Sequence, residues 1–481
     1  MNEHHDHDPE EMQQGAPHDA STTLAREQVE EANSAEVQGQ TVTTMEAENV
    51  SALVPLQTTP TDGGELSNDS SCLSALHELG TYLGPGFLIS VAYMDPGNWA
   101  TNISGGATYD SALLWVIVLA SIMAMGIQVV AAKLGIATGK DVAQLCRLRL
   151  SRPVVYVLWM AAELAMIATD MAEIIGAAVG FQLVCDFPLW AGAILAAISS
   201  FALLAIRSAF TNGFRLIEFV IMAFVAIIAL VFVVELFIAK PSAELVFSGL
   251  KPTIPNTDAL YIAIGILGAT VMPHSVYLHP DIVQDRRERL VLEKGNTEDV
   301  HRLHLKFETA DTALALIGAM FVNGAMLIVA AAALSGTGID TVEDAYITVE
   351  GVFGSYASIL FGMALIAAGL SSSLVATMAG QTVMDGFLNW SVNVWVRRSV
   401  TLLPSLAIVL IGLEPTSVLV ASQVALSFEL PFVLIPLVYF TRDKELMGGF
   451  VNSNLTTAAL CTIVGVIVIL NVWLITSLAI H

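Results

Sequence analysis

Asp95-Pro-Gly-Asn98 sits inside an apolar stretch running from about residue 79 to 104, long enough to cross a membrane. Pro and Gly together break a helix, and the freed backbone groups find no partner in lipid. A carboxylate at that depth is costly as well. Both become reasonable if the break lines a protein-enclosed cation site. A second break, Met272-Pro273-His274, lies inside another membrane-length stretch at about 257–281. Paired interruptions at matching places in two halves are a sequence sign of a transporter's binding site.

Composition agrees with an all-α polytopic membrane protein. Of 481 residues, 55% are hydrophobic and 13% charged, and the mean hydropathy is +0.69; soluble domains carry about 25% charge. Eleven spans are expected. Five cover about 79–104, 111–135, 154–182, 187–206 and 214–239. A sixth covers about 257–281. The last five cover about 306–334, 352–378, 394–413, 416–440 and 452–478. The breaks fall in spans one and six. Five spans followed by five starting from the opposite side make an inverted repeat (about 79–239 and 257–440), with the eleventh span as an extra helix. Together they make a transport domain over 72–481.

Residues 1–71 differ. Ten Glu and five Asp face Arg26 alone, with few aromatics, so a disordered acidic cytoplasmic tail is expected. Its His4, His5, His7 and His18 offer loose metal binding at most. Cys72, Cys146, Cys185 and Cys461 lack paired spacing, and three of them, in or beside apolar segments, are read as small core residues.

Placing the N-terminus in the cytoplasm puts seventeen basic residues in inner loops. They include Lys133, Arg147, Arg152, Arg286, Arg302, Arg397 and Arg442. Only Lys240 and Lys251 remain outside. This positive-inside pattern supports eleven spans and an outer C-terminus.

At the first break Asp95 offers charged oxygens, Asn98 an amide oxygen and Ala92 a backbone carbonyl. At the second, Ala269 offers a carbonyl and Met272 a thioether. A soft sulfur suits Mn²⁺, Fe²⁺ and Cd²⁺ better than Mg²⁺ or Ca²⁺. Gln423, in the tenth span, is read equally as a state-dependent ligand or as a bridge between helices. Intramembrane ionisable groups make a second set: His274, Asp170 and Glu173, with Arg397 and Arg398 opening the ninth span. A proton pathway and a structural salt-bridge network both fit these residues, and the arginines also fit as ordinary cytoplasmic flanks. Glu163, Glu218, Asp311 and Glu429 receive no role.

Asp95-Pro-Gly-Asn-Trp-Ala-Thr-Asn102 and Gly268-Ala-Thr-Val-Met-Pro-His-Ser-Val-Tyr-Leu-His279 closely resemble the two signature segments of the Nramp metal-ion transporters. Ala168-Thr-Asp-Met-Ala-Glu-Ile-Ile-Gly176 resembles that family's acidic pair, and Gly380-Gln-Thr-Val-Met-Asp-Gly-Phe387 its cytoplasmic loop motif. The resemblance covers about 78–478. It implies a LeuT-type fold of two inverted five-helix repeats and proton-linked import of divalent transition metals. Asp95, Asn98 and Met272 would be metal ligands, with the Ala92 and Ala269 carbonyls and, in one state, Gln423. His274, Asp170, Glu173, Arg397 and Arg398 would form the proton route. Ser275 and Pro280 depart from the usual pattern, which has Asn and Ser there.

The expectation is therefore a cell-membrane importer of Mn²⁺ and Fe²⁺, coupled to H⁺, with no permanent cofactor. Its partners are metal ions, protons and the bilayer; no nucleic acid is expected, and the state is a monomer. A Na⁺-coupled organic-solute symporter of the same fold and a non-transporting metal sensor are the rivals. An enzyme is not expected, since no nucleophile–base pair, closed His/Cys site or GxxxxGK[ST] segment occurs.

Overall fold

The structure is a computed structural model and describes residues 84–209, 213–335, 341–353 and 355–480. The acidic tail, Cys72 and residues 336–340 lie outside the described residues.

The first break divides its span into α1 (Pro85–Ala92) and α2 (Pro96–Tyr109). Next come α3 (Leu114–Thr138), the short α4 (Val142–Arg149), α5 (Arg152–Cys185), α6 (Leu189–Ala209), α7 (Gly213–Ala239) and the short α8 (Ala243–Gly249). The second break separates α9 (Thr257–Thr270) from α10 (Pro273–Lys294). Then follow α11 (Glu298–Leu334), α12 (Val342–Phe353), α13 (Ser355–Leu388), α14 (Val394–Ile411), α15 (Pro415–Thr441), the one-turn α16 (Lys444–Met447) and α17 (Asn454–Ile480).

Ten stretches are long and apolar enough to cross a membrane, with the second broken segment, Thr257–Lys294, taken as one. The eleventh expected span is the first. Its break leaves pieces of 8 and 14 residues, neither long enough to cross alone.

Two expectations are corrected. The Gly380–Phe387 motif is not a loop: α13 runs through it and stops at Asn389, whose φ of 53° cannot continue a helix. Gly386 there sits against α4, where an added Cβ would come 2.5 Å from Ala143 Cβ. Of the cysteines, Cys146 is buried, but Cys185 and Cys461 are exposed. In a membrane bundle an apolar neighbourhood does not mean burial, because the outer face is apolar too. Leu164, Phe237, Leu410 and Ile469 all lie exposed on that face.

Polar groups instead face inward. Helix starts are capped by side chains: Asp141 and Gln144 form a reciprocal capping box on α4, Asn256 caps α9, and Thr297 caps α11. Small residues let the inner helices approach closely. A Cβ on Gly176 of α5 would come 2.0 Å from Pro96 Cβ, and one on Gly369 of α13 would come 2.7 Å from the Glu173 carbonyl. The first crossing presses α5 onto the first break, and the second presses α13 onto α5.

Candidate metal centre

Both breaks follow one local rule. Ala92, the last residue of α1, would give its carbonyl to the N–H of residue 96, but that residue is Pro96. Ala269, near the end of α9, would give its carbonyl to residue 273, which is Pro273. A proline has no N–H to offer, so each break releases an alanine carbonyl at the same offset. The residue just before each proline is extended: Asp95 (φ −67°, ψ 164°) and Met272 (φ −72°, ψ 120°). All four residues are fully buried.

Asp95 caps α2 with its own carboxylate. Its Oδ1 accepts from the Asn98 N–H (2.9 Å) and from Asn98 Nδ2 (2.6 Å). Asn98 Nδ2 also donates to the Ala269 carbonyl (3.0 Å), which ties the two breaks together. Gln423 of α15 wedges between them. A Cβ on Gly97 would lie 1.9 Å from Gln423 Nε2, and one on Gly268 would lie 2.0 Å from the Gln423 carbonyl oxygen. Gln423 Nε2 donates to Ser422 Oγ (3.1 Å). Three acceptors remain buried without a hydrogen-bond partner: Asp95 Oδ2, Asn98 Oδ1 and Gln423 Oε1. Buried acceptors are nearly always paired; unpartnered ones also occur elsewhere among the described residues, at Glu235, Thr312 and Glu429, but three of them lie together with released carbonyls where the breaks meet. Among the described residues no group of three or more His, Cys, Asp or Glu side chains is arranged to hold a metal. The arrangement at the breaks is of another type: one carboxylate, two amide oxygens, backbone carbonyls and a thioether residue.

The ionisable set is brought together beside it. Arg398, 2% exposed, pairs with Asp170, approaches Glu173 (3.8 Å), donates to Ser200 Oγ (3.1 Å) and contacts the Ser373 hydroxyl. Arg397 pairs with Glu163 (3.1 Å), and its guanidinium lies across Gly380. His274 Nδ1 lies 3.4 Å from Thr169 Oγ1, and Glu173 is within electrostatic reach of Asp95. Neither arginine is a loose cytoplasmic flank.

A further polar chain was not anticipated. Gln128 Nε2 donates to Tyr93 Oη (2.8 Å), and Gln128 Oε1 meets His279 Nδ1 (2.9 Å). His279 Nε2 meets Glu308 Oε1 (3.1 Å). Arg286 and His304 each lie 3.8 Å from Glu308 Oε2. Asp311 Oδ2 accepts from the Gly84 and Gly86 N–H groups and so caps α1. The available signal was the presence of His279, Glu308 and Asp311 in apolar helices. Glu429 has a partner too, accepting from Tyr277 Oη (3.3 Å). Pro280 falls inside α10, and its carbonyl accepts from Gln284 Nε2 (2.9 Å).

A family model described as natural resistance-associated macrophage protein-like, Nramp, matches residues 86–477. The divalent metal cation transporter MntH of Pectobacterium carotovorum subsp. carotovorum is 44% identical over 396 residues, 82% of this chain and 93% of the relative. MntH of Yersinia enterocolitica is 43% identical over 400 residues, 82% of this chain and 95% of the relative. Among solved structures, a manganese transporter of Eremococcus coleocola, in complex with an aromatic bis-isothiourea substituted compound, matches with a TM-score of 0.75 at 31% identity. The match covers 87% of this chain and 89% of that one. MhsT in complex with L-phenylalanine matches with a TM-score of 0.50 at 16% identity, over 82% of this chain and 98% of that one, a likeness of fold alone.

Proposed function

The chain belongs to the Nramp family and has its LeuT-type fold, and on that premise we propose that it imports divalent transition-metal ions by proton-coupled alternating access. Mn²⁺ and Fe²⁺ are the principal cargo, with Cd²⁺ also accepted. The observation that carries this reading is the trio of unpartnered buried oxygens, Asp95 Oδ2, Asn98 Oδ1 and Gln423 Oε1, beside the Ala269 carbonyl. A cation supplies what those acceptors lack. The names of the relatives, divalent metal cation transporter and manganese transporter, support the cargo class.

In this reading Asp95, Asn98, Met272 and the Ala92 and Ala269 carbonyls hold the ion. Gln423 joins when α15 closes over it. The carbonyl ends of α1 and α9 favour a cation. The Asp95 charge offsets much of the dehydration cost, and the Met272 thioether selects against Mg²⁺ and Ca²⁺. The half-helices then swing, closing one side of the site and opening the other. Protons move through Asp95, His274, Asp170 and Glu173, with Arg398 and Arg397 holding the acidic groups in place. The basic loops mark the cytoplasmic side, which puts the N-terminus and its acidic tail inside and the C-terminus outside. The working unit is a monomer in the cell membrane.

The test is Mn²⁺ uptake into proteoliposomes carrying a lumenal metal dye and a lumenal pH dye. Saturable uptake with lumenal acidification is expected, and Asp95→Ala should show neither. Full uptake by Asp95→Ala refutes the site; metal uptake without acidification refutes the coupling alone.

A further inference from the structure

Two grooves run along the outer face of α15. The larger, about 700 Å³, lies between α15 and α17 and is lined by Ile435, Val438, Tyr439, Cys461, Val464 and Gly465, with Arg442 and Asp443 at one end. The smaller, about 390 Å³, shares Ile435 and Tyr439 and continues toward Leu150 and Leu158 of the α4–α5 region. Their origin is local. Pro431 and Pro436 interrupt the hydrogen-bond ladder of α15. Gly465 leaves α17 bare, since a Cβ there would meet nothing within 4 Å. The larger groove is within the size range of small-molecule sites, roughly 300–1,000 Å³.

Its polar end carries an unspent positive charge. Arg442 is exposed, and its side chain makes no hydrogen bond or ion pair among the described residues. Asp443 makes no ion pair with it: Asp443 Oδ1 is turned to the Glu445 and Leu446 N–H groups at the start of α16. Of the nearby cations, Lys133 holds the Asn452 side chain and Arg302 pairs with Glu298, while exposed Lys444 adds to the positive charge at this end. Tyr439, 62% exposed, stands between the grooves as aromatic residues do at a membrane interface. An apolar channel between helices that ends at a free arginine fits one ligand class: an acyl chain bearing an anionic headgroup.

We propose that the α15–α17 groove is a binding site for one anionic phospholipid, its acyl chain along Ile435, Val438 and Val464 and its phosphate on Arg442.

The test uses the full chain in phosphatidylcholine nanodiscs containing a trace of photoactivatable phosphatidylglycerol or photoactivatable phosphatidylcholine, with labelled peptides mapped by mass spectrometry. The phosphatidylglycerol probe should label the 435–443 and 461–465 segments about fivefold more than the phosphatidylcholine probe, the ratio one arginine near an anionic headgroup supports. Arg442→Gln should remove that preference while leaving thermal stability and Mn²⁺ uptake unchanged. Gly465→Leu should lower labelling by both probes. Equal labelling of the unaltered chain, which indicates ordinary boundary lipid only, overturns the proposal, as does a preference that survives Arg442→Gln. A Cys461–Cys461 crosslink with a short bismaleimide, in a Cys185→Ser background, also overturns it by placing a second copy of the chain in the groove.

Discussion

At the first break the residue between the half-helices is Asp95, whose carboxylate caps α2; at the second it is Met272, which gives α10 no side-chain cap. The backbone rule is shared, with an alanine carbonyl released by a proline four residues on. The chemistry is not. Asp95 holds its own turn through Oδ1 and keeps Oδ2 unpartnered, so the first break is a scaffold that leaves one charged oxygen free of hydrogen bonds. The second break is steadied from outside: Asn98 holds the Ala269 carbonyl, and the Gln423 backbone fills the space at Gly268. One break therefore contributes charge and shape, and the other contributes a soft atom on a borrowed support.

Substitutions at matching positions test that division. Asp95→Ala removes cap and charge together. Metal binding by titration calorimetry should fall by more than the roughly 10–100-fold that changes behind a ligand cost. A smaller loss than that caused by Met272→Ala would reverse the ranking of the two breaks.

Gly268→Ala comes next, because its Cβ meets the Gln423 backbone, which has little freedom to move. A loss of about 1–3 kcal/mol is expected by thermal or denaturant unfolding. Gly97→Ala should cost less, since its Cβ meets the Gln423 side chain, from Nε2 back to Cγ, and not its backbone. Equal costs would mean that the wedge is not directional.

Met272→Ala should retain part of Mn²⁺ uptake and lose discrimination against Ca²⁺ and Mg²⁺ several-fold in competition assays. Unchanged selectivity would make Met272 a packing residue.

A last test lies away from both breaks, at Asp141, which caps α4 in a loop. Burial is the main cause that pushes its carboxyl up to about 7 from 3.8; hydrogen bonds from the Gln144 N–H oppose this, and nearby Asp281 adds to it. The folded state therefore holds a proton that the unfolded chain releases, and stability falls as pH rises between those values. Asp141→Asn keeps the cap and should unfold at increasingly higher temperature than the parent as pH rises from 4 to 7. A constant difference across that range would refute the burial argument.

Much of this was readable in the chain. Hydropathy marked the spans, and Pro96 and Pro273 marked the breaks, because a missing N–H is a property of one residue. What was not readable is that Asp311, more than 200 residues away, holds the Gly84 and Gly86 N–H groups at the start of α1. The Gly380–Phe387 segment read as a loop from resemblance, yet nothing in it halts a helix before Asn389.

The sequence by itself determined that this is a membrane bundle with two interrupted helices carrying Asp95, Asn98 and Met272, because span length, helix breaking and donor type are local properties. Partnership was decided only by the tertiary structure. Gln423 meets the breaks because Gly97 and Gly268 leave it room. Glu163 holds Arg397, and His279 joins Gln128 to Glu308. Those contacts span from 29 to 326 residues of chain, and no local pattern encodes which distant helix face packs against which.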